Sequence, residues 1–426
     1  MFKIKKTRNF MFFGALTVAP ILTSISCTNY SNEEWDDEIV IGYSSTNPNF
    51  FKNGTDKKFI KLLEEKFEQF RKNDPEANKF KPVKFKFADQ GVKDKSIIIS
   101  DLESNKNFDI AVVPYSTILD YLNGSYQEGH NFRPKKIAQS YTLGFVWQNN
   151  PTSFYIDGSK NDPLRLDAEA ENNAQMVKYG EYKTWTNKKD EFDFDGSKYR
   201  IFYKKDKVIP IYRGAIIISG NDEVRKNIIN AWENKNFDEF IKHGIVYKNH
   251  ESGGKFKYQL ALLARHFGKK IDDLKRIFSK NEHGYFVASK NLNWQLGKKN
   301  EFGKITNIIF TDEGEFNWTP KHEQWTNGHF TPSDPDAKVR VLTMTNPAPY
   351  DIMLGKTSLS SKQAELIAKA ISSLSIEENL YGTYTGYNKF RPIDGNLFVQ
   401  MLKIQTAAVD RDTNLDETIW EKLKVN

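Results

Sequence analysis

The chain alternates short apolar runs with amphipathic stretches. Glu38–Tyr43 (EIVIGY) reads as a buried strand that ends in Ser44, Ser45 and Thr46. From Asp56, the residues Phe59, Leu63, Phe67 and Phe70 recur at helical spacing, predicting a helix to about Arg71 that Asp74-Pro75 stops. Val83, Phe85 and Phe87 alternate with lysines, the pattern of a half-buried strand. A short helix is expected over Ser96–Glu103. A second buried strand follows within Phe108–Ser116, and Ser116 or Thr117 is placed to cap a helix over TILDYL. Strand, helix, strand, helix, strand is the rhythm of a parallel α/β sheet, in which ligands sit beyond the carboxyl ends of strands. Tyr43, Ser44 and Ser45 are therefore expected on one rim with Tyr115, Ser116 and Thr117. There a flat tyrosine ring can stack on a ligand's heterocycle.

Residues 149–207 break the rhythm. They are polar, rich in Asp, Asn, Lys and Tyr, and read as an insertion with little core of its own. Alternation resumes at YRGAIIISG (Tyr212–Gly220), a buried strand, followed by Val224, Ile228, Ile229 and Trp232 at helical spacing with Trp232 in the core. Gly244–Lys248 is a short strand. Val339–Met344 is another, and Pro347 and Pro349 then make the chain leave the domain. A helix beginning at Ser360 or Ser361 and a helical tail complete the chain. The pattern predicts two α/β domains, the second over 215–343, with 38–214 before it and 344–426 after it.

The first residues change this picture by adding an address. Lys3, Lys5, Lys6 and Arg8 precede an apolar run broken by Gly14 and Pro20, and small residues lead to Cys27, the only cysteine. A basic start, an apolar middle and small residues before a cut predict a secretory signal peptide over 1–26. The run is too interrupted for a span of about 20 apolar residues. Cys27 behind Ser24-Ile25-Ser26 resembles a bacterial lipobox, which implies diacylation of Cys27 and stable anchoring by two acyl chains. Residues 27–37 are then expected to be a flexible tether. Removing the four leader cations from the formal +7 leaves +3, so composition gives no nucleic-acid reading. The abundance of Lys, Asn, Ile and Phe fits an AT-rich genome and suggests a mycoplasma.

The chemistry points to binding. In HESGGKFKYQLALLARHFG (His250–Gly268), Ser252, Gly253, Gly254 and Lys255 stand ahead of an apolar helical run. A helix N-terminus offers unpaired N–H groups and a positive dipole end to an anion, or the stretch is only a glycine turn with a serine cap. The nucleotide-hydrolase loop G-x-x-x-x-G-K-[ST] is excluded, because Asn249 stands at the first glycine and Phe256 follows the lysine. Seven histidines show no H-x-x-x-H spacing, which argues against zinc. Asp193, Asp195 and Gly196 superficially suggest a calcium loop, but the glutamate such a loop needs at its twelfth position is missing. No G-x-S-x-G elbow occurs. Neither a cofactor nor an enzymatic activity is expected. Among the aromatics near the ends of elements, Tyr212, Trp318 and Tyr350 join Tyr43 and Tyr115 as candidate ring contacts.

Several stretches line up with one family. YIDGSKNDPL (155–164), YRGAIIISGND (212–222), AWENKNFDEFIKHGI (231–245), SGGKFK (252–257), DEGEFNWT (312–319) and TNPAPYDI (345–352) resemble the mycoplasma high-affinity transport system lipoproteins. The resemblance implies a substrate-binding protein of an ABC importer, thiamine- or thiamine-pyrophosphate-binding and distantly related to phosphonate-binding proteins. It implies a two-lobed Venus-flytrap fold of the type II periplasmic-binding kind, with two crossing strands near YRGAIIIS and TMTNPAPYD. It places the ligand phosphate on Ser252–Lys255, where two of the relatives' hydroxyl positions have become glycine. Asp351 is then placed to pair with a cationic thiazolium or an aminopyrimidine nitrogen, or with Arg213. A membrane permease is the implied partner, the receptor being monomeric and anchored on the outer face of the cell membrane. The alternatives are a receptor for phosphonate or another phosphorylated metabolite, and a host-facing adhesin.

Overall fold

The computed structural model describes residues 33–44, 46–52, 54–124, 132–187, 198–318, 329–413, 415 and 418–423. Cys27, Ser45 and the acidic stretch at Asp193–Gly196 lie outside the described residues.

Two mixed sheets carry the molecule. The first contains β1 (Glu38–Gly42), β2 (Lys84–Phe87), β3 (Ile110–Val113), β4 (Lys135–Phe145) and β5 (Tyr203–Ile209). β6 (Ile211–Tyr212) leads out of it, and β7 (Gly214–Gly220), β8 (Ile245–Tyr247) and β9 (Phe286–Ala288) belong to the second sheet. A hairpin of β10 (Lys298–Lys299) and β11 (Ile305–Thr306) precedes β12 (Ile308–Asp312) and β13 (Lys338–Met344). β14 (Ala348–Pro349) leads back to β15 (Ile352–Gly355) and β16 (Lys389–Pro392). The first sheet has the order β16-β4-β15-β3-β1-β2, with β5 on β4, and the second the order β13-β7-β12-β8-β9. β1 runs parallel to β2 and β3, whereas β15 is antiparallel to β3 and β4.

The chain passes between the sheets along β6 and β14, which pair antiparallel with Tyr212 opposite Ala348. These are the two crossings expected from YRGAIIIS and TMTNPAPYD. Arg213 sits at their junction, 1% exposed, and donates to the carbonyls of Thr345, Pro151 and Ser153. A buried guanidinium satisfied by carbonyls holds the two crossings and the start of the 149–207 segment together. The expected pairing with Asp351 is replaced by these bonds.

Local pattern and structure agree where one face is buried. The first long helix spans Thr55–Asn73 and buries Phe59, Leu63 and Phe67. Trp232 is fully buried and stacks on His266 at 3.8 Å between ring centroids. Ser360 caps the Ser361–Ser373 helix by accepting from the Gln363 N–H. Three expectations need correction. The helix after β3 starts two residues early, at Tyr115, with Pro114 as its N-cap, so neither Ser116 nor Thr117 caps it. Residues 33–37 are docked rather than a free tether: Glu34 N–H donates to Ser358, and Trp35 stacks on Phe80 at 4.5 Å. A flat apolar ring finds a place even in an acidic segment.

The third correction concerns 149–207. The Pro163–Asn172 helix lies on β13, where the Asn172 amide both accepts from and donates to Val341 main chain. Leu164, Met176, Tyr182, Trp185, Tyr199 and Phe202 join Ile217, Val341 and Met344 in one buried cluster. Far from lacking a core, this segment covers a face of the second sheet.

Candidate functional site

A cleft of about 1120 Å³ opens between the ends of the two sheets. β6 and β14 bring Tyr212, Tyr350 and Asp351 to it. β8 and the turn after it bring Lys248 and Ser252–Lys255, and the end of β12 brings Asp312 and Glu313. Opposite them stand Lys95, Ser116 and Thr117 from the first-sheet side.

The Ser252 turn is set by packing. Ser252 is the N-cap without a side-chain cap bond, and Gly253–Lys257 form a wide turn that leads into the Tyr258–His266 helix. A Cβ on Gly254 would overlap Oδ1 of Asp312 and stand 3.2 Å from the Tyr212 ring. One on Gly253 would stand 2.9 Å from the Tyr258 hydroxyl and 3.4 Å from Ser116 Oγ. Only glycine lets this backbone approach so closely. Gln259 fixes the turn from beneath by donating to the carbonyls of Gly254, Ala215 and Thr311. The first N–H groups of the turn have no acceptor within the helix and point out of its N-terminal end.

Lys255 is not a free cation. Its ammonium lies 2.7 Å from Glu315 and 3.4 Å from Asp312. Burial alone would lower its pKa, but these two carboxylates outweigh it and hold the pKa above the ordinary lysine range. Lys93, Lys95, Lys248 and Lys290 also line the cleft, and none forms an ion pair among the described residues. Desolvation, Lys255 and Lys95 together push the Lys248 pKa down against the opposing pull of Asp312 and Glu315.

Carboxylates line the same cleft, within the field of Lys95 and Lys248. Asp351 accepts from the Tyr387 hydroxyl at 2.6 Å, and burial raises its pKa despite that bond. Burial likewise raises Asp312 against the pull of Lys255. Glu313 accepts from Trp147 Nε1 and Gln148 Nε2, and burial pushes it up to about 7 despite Arg213. Tyrosines stand beside them. Tyr350 meets Tyr212 and Tyr387 edge to face, with centroids 5.7 and 5.6 Å apart. Trp318, 41% exposed, presents its ring to the same cleft.

The structure thus brings together Ser116, Thr117, Tyr212, Ser252, Gly253, Gly254, Lys255, Trp318, Tyr350 and Asp351. Arg213 touches the cleft wall, but its guanidinium is spent on carbonyls. Two expected ring contacts lie elsewhere. Tyr115 is buried and donates to Gln139 Oε1, and Tyr43 packs on Phe51 and Phe87, outside the cleft lining with Ser44. The strand-end rule locates a residue but does not set the direction of its side chain. Lys95, Lys248, Asp312 and Glu313 went unnoticed, although applying the same rule to β8 and β12 would have found the last three. Among the described residues, none from 149–207 lines the cleft.

Comparison with known proteins places this cleft in a lineage. Residues 57–416 match the family model CypI, extracytoplasmic thiamine-binding lipoprotein. The high affinity transport system protein p37 of Mesomycoplasma hyorhinis is 26% identical over 95% of this chain and 100% of its own length. Its namesake from Mycoplasma pneumoniae is 29% identical over 60% of this chain and 67% of that protein. The solved structure of Mycoplasma hyorhinis Mh-p37 superposes with a TM-score of 0.76 at 22% identity, covering 89% of this chain and 100% of that one. This likeness establishes the type of fold, an α/β molecule of two mixed sheets. The family match covers most of the chain and all the elements that build the cleft: the chain belongs to the extracytoplasmic thiamine-binding lipoprotein family.

Proposed function

We propose that the interlobe cleft binds thiamine as its pyrophosphate ester and delivers it to a membrane permease of an ABC importer. The observation that carries this reading is that one cleft holds cations, carboxylates and aromatic rings together. Lys93, Lys95, Lys248 and Lys290 form no ion pair among the described residues, and Asp351 lies beside Tyr350 and Tyr387 in the same cleft. A ligand with an anionic diphosphate at one end and a cationic thiazolium at the other matches that arrangement. The relative Mh-p37 is described as a candidate thiamine pyrophosphate transporter, which supports the same ligand.

In this reading the backbone amides of Gly253 and Gly254, the Ser252 hydroxyl and the ammoniums of Lys95 and Lys248 hold the diphosphate. Ser116 and Thr117 approach it from the facing wall. Tyr212, Tyr350 and Trp318 pack on the rings, and Asp351 faces the cationic end. Lys255 is a positioning residue that fixes Asp312 and Glu315. Residues 38–214 with 344–426 act as one lobe and 215–343 as the other. A ligand touching both stabilises the closed form that the permease reads. Cys27 carries the lipid, and the receptor acts as a monomer.

Calorimetry with thiamine, thiamine monophosphate, thiamine pyrophosphate and methylphosphonate tests the reading. Thiamine pyrophosphate is expected to bind at least tenfold more tightly than thiamine, since each charge-assisted hydrogen bond contributes roughly 1.5–3 kcal/mol. Equal affinity for thiamine and its pyrophosphate would remove the diphosphate subsite. Preference for methylphosphonate would make the cleft a phosphonate receptor.

A further inference from the structure

The β10–β11 hairpin and the turn before it present an apolar surface that the cleft does not use. Of the eleven exposed large hydrophobic side chains among the described residues, three lie within one short segment: Trp294 at 40%, Phe302 at 54% and Ile305 at 47%. The hairpin is firmly built. Asn300 Oδ1 accepts from the N–H groups of Phe302 and Lys304, and Asn300 Nδ2 donates to the Gly284 carbonyl at 2.8 Å. Phe302 rests on Gly284, where a Cβ would stand 2.5 Å from its own Cβ. The tip therefore holds an aromatic ring outward in a fixed pose.

The charges around it are mostly positive. Lys298 lies over the Trp294 ring at 3.0 Å from its centroid, and Lys304 over Tyr285 at 5.7 Å. Lys299 stands opposite Ile305 in the hairpin register. None of the three pairs with an acid among the described residues, and Glu301 is the one acid within the hairpin loop. Protein interfaces are depleted in lysine, whereas Trp and Phe ringed by lysine suit the headgroup layer of an anionic bilayer. A lipoprotein is held beside a membrane, so even a weak surface attraction acts at high effective concentration. We propose that this hairpin is a second, peripheral membrane contact: Phe302 and Ile305 enter the headgroup layer while Lys298, Lys299 and Lys304 meet anionic lipid. The inference rests on membership of the lipoprotein family and is independent of what the cleft binds.

The test uses the mature acylated protein reconstituted into vesicles, with a fluorophore on Glu301→Cys and nitroxide-labelled lipid as quencher. Phosphatidylcholine vesicles containing about one-third phosphatidylglycerol are compared with phosphatidylcholine alone. Quenching is expected to be several-fold stronger in the anionic vesicles and to fall in high salt. Charge reversal by Lys299→Glu with Lys304→Glu is expected to weaken the contact about fivefold or more per lysine. Thermal melting and thiamine binding of the variants, expected unchanged, confirm that they fold. Quenching no greater than that of a probe on Lys205→Cys, exposed on β5 of the first sheet, overturns the proposal, as does quenching indifferent to salt and charge reversal. Shielding that appears only with the permease co-reconstituted would overturn it in favour of a protein-docking surface.

Discussion

Residues 149–207 and the Ser252–Lys255 turn look alike from the sequence, both polar and short of core signals. In the folded chain they are opposites. The first supplies Trp185, Tyr182 and Phe202 to a dry aromatic cluster and none of its described residues to the cleft. The second supplies backbone to the cleft, held at a spacing no side chain would permit. Average polarity of a segment says little about its place. What decides is whether its few large rings share a face, and whether its small residues are small because something presses on them.

The sharpest way to break the comparison is to damage the aromatic segment alone. Trp185 is 1% exposed and packs face to face on Phe202 and edge-on against Tyr199. Trp185→Ala is expected to cost about 3–5 kcal/mol of stability, the usual toll of emptying a large aromatic site. Affinity of the folded fraction for ligand should stay within about twofold, because no described residue of the segment touches the cleft. Urea melts and calorimetry on the same preparations give both numbers. A large affinity loss with little change in stability would place the segment in the site after all.

Glu313 links the two regions, since its carboxylate accepts from Trp147 and Gln148, just ahead of the segment, and lies on the cleft wall. An unfolded glutamate ionises near 4.5, while burial holds the folded one protonated up to about 7. Its contribution to stability is therefore fully present below 4.5 and is lost as pH rises through 7. A shift of this size corresponds to roughly 3 kcal/mol between those limits. Glu313→Gln, which keeps an acceptor for Trp147 but cannot ionise, is expected to flatten the fall in stability between pH 5 and pH 8 by up to about that amount. Melts at the two pH values settle the point, and identical slopes in both proteins would remove Glu313 as the source.

The periodic parts of the fold were legible because burial of one face writes itself into the sequence. The helix at Thr55–Asn73 and strands β3 and β7 follow from spacing alone. The family resemblance gave the type of fold and the pair of crossings. The site was only half legible, for two physical reasons. Direction is set by local geometry: Pro114 begins the helix at once and turns Tyr115 inward to Gln139, although it stands at a strand end. Partnership is set at long range: Lys255 meets Asp312 and Glu315, residues far along the chain, so a lysine that looks available for an anion is already occupied. Lys95 and Lys248 form no ion pair among the described residues, which spacing along the chain could not have told.

The turn itself offers a smaller, sharper test. Gly254→Ala puts a methyl group into Asp312 and Tyr212, and overpacking of this kind costs about 1–3 kcal/mol. The strain falls on the cleft wall, so thiamine pyrophosphate affinity is expected to drop by about tenfold to a hundredfold while most of the stability survives. Gly268→Ala is the control, since its φ of +64° strains a side chain but nothing lies within 4 Å of its Cβ. If the two variants lose affinity equally, the close approach at Gly254 has no role in binding.

The smallest effect separates charge from packing. Lys248 follows β8, belongs to the second-sheet side, and shares its field with Lys95 from the first and with Lys255 beside it. If Lys248 and Lys95 grip a diphosphate, Lys248→Ala should weaken thiamine pyrophosphate by about tenfold, near the lower limit for a hydrogen bond to a charged group. Free thiamine has no diphosphate to lose, so its affinity should change less than about twofold. Lys255→Ala should behave differently. It leaves Asp312 and Glu315 without their cation, so stability falls and both ligands weaken together. The ratio of the two affinities, measured in each variant, distinguishes a lysine that meets the ligand from one that holds the wall. A Lys248→Ala protein that loses thiamine and its pyrophosphate in equal measure would move the diphosphate away from the cation group altogether.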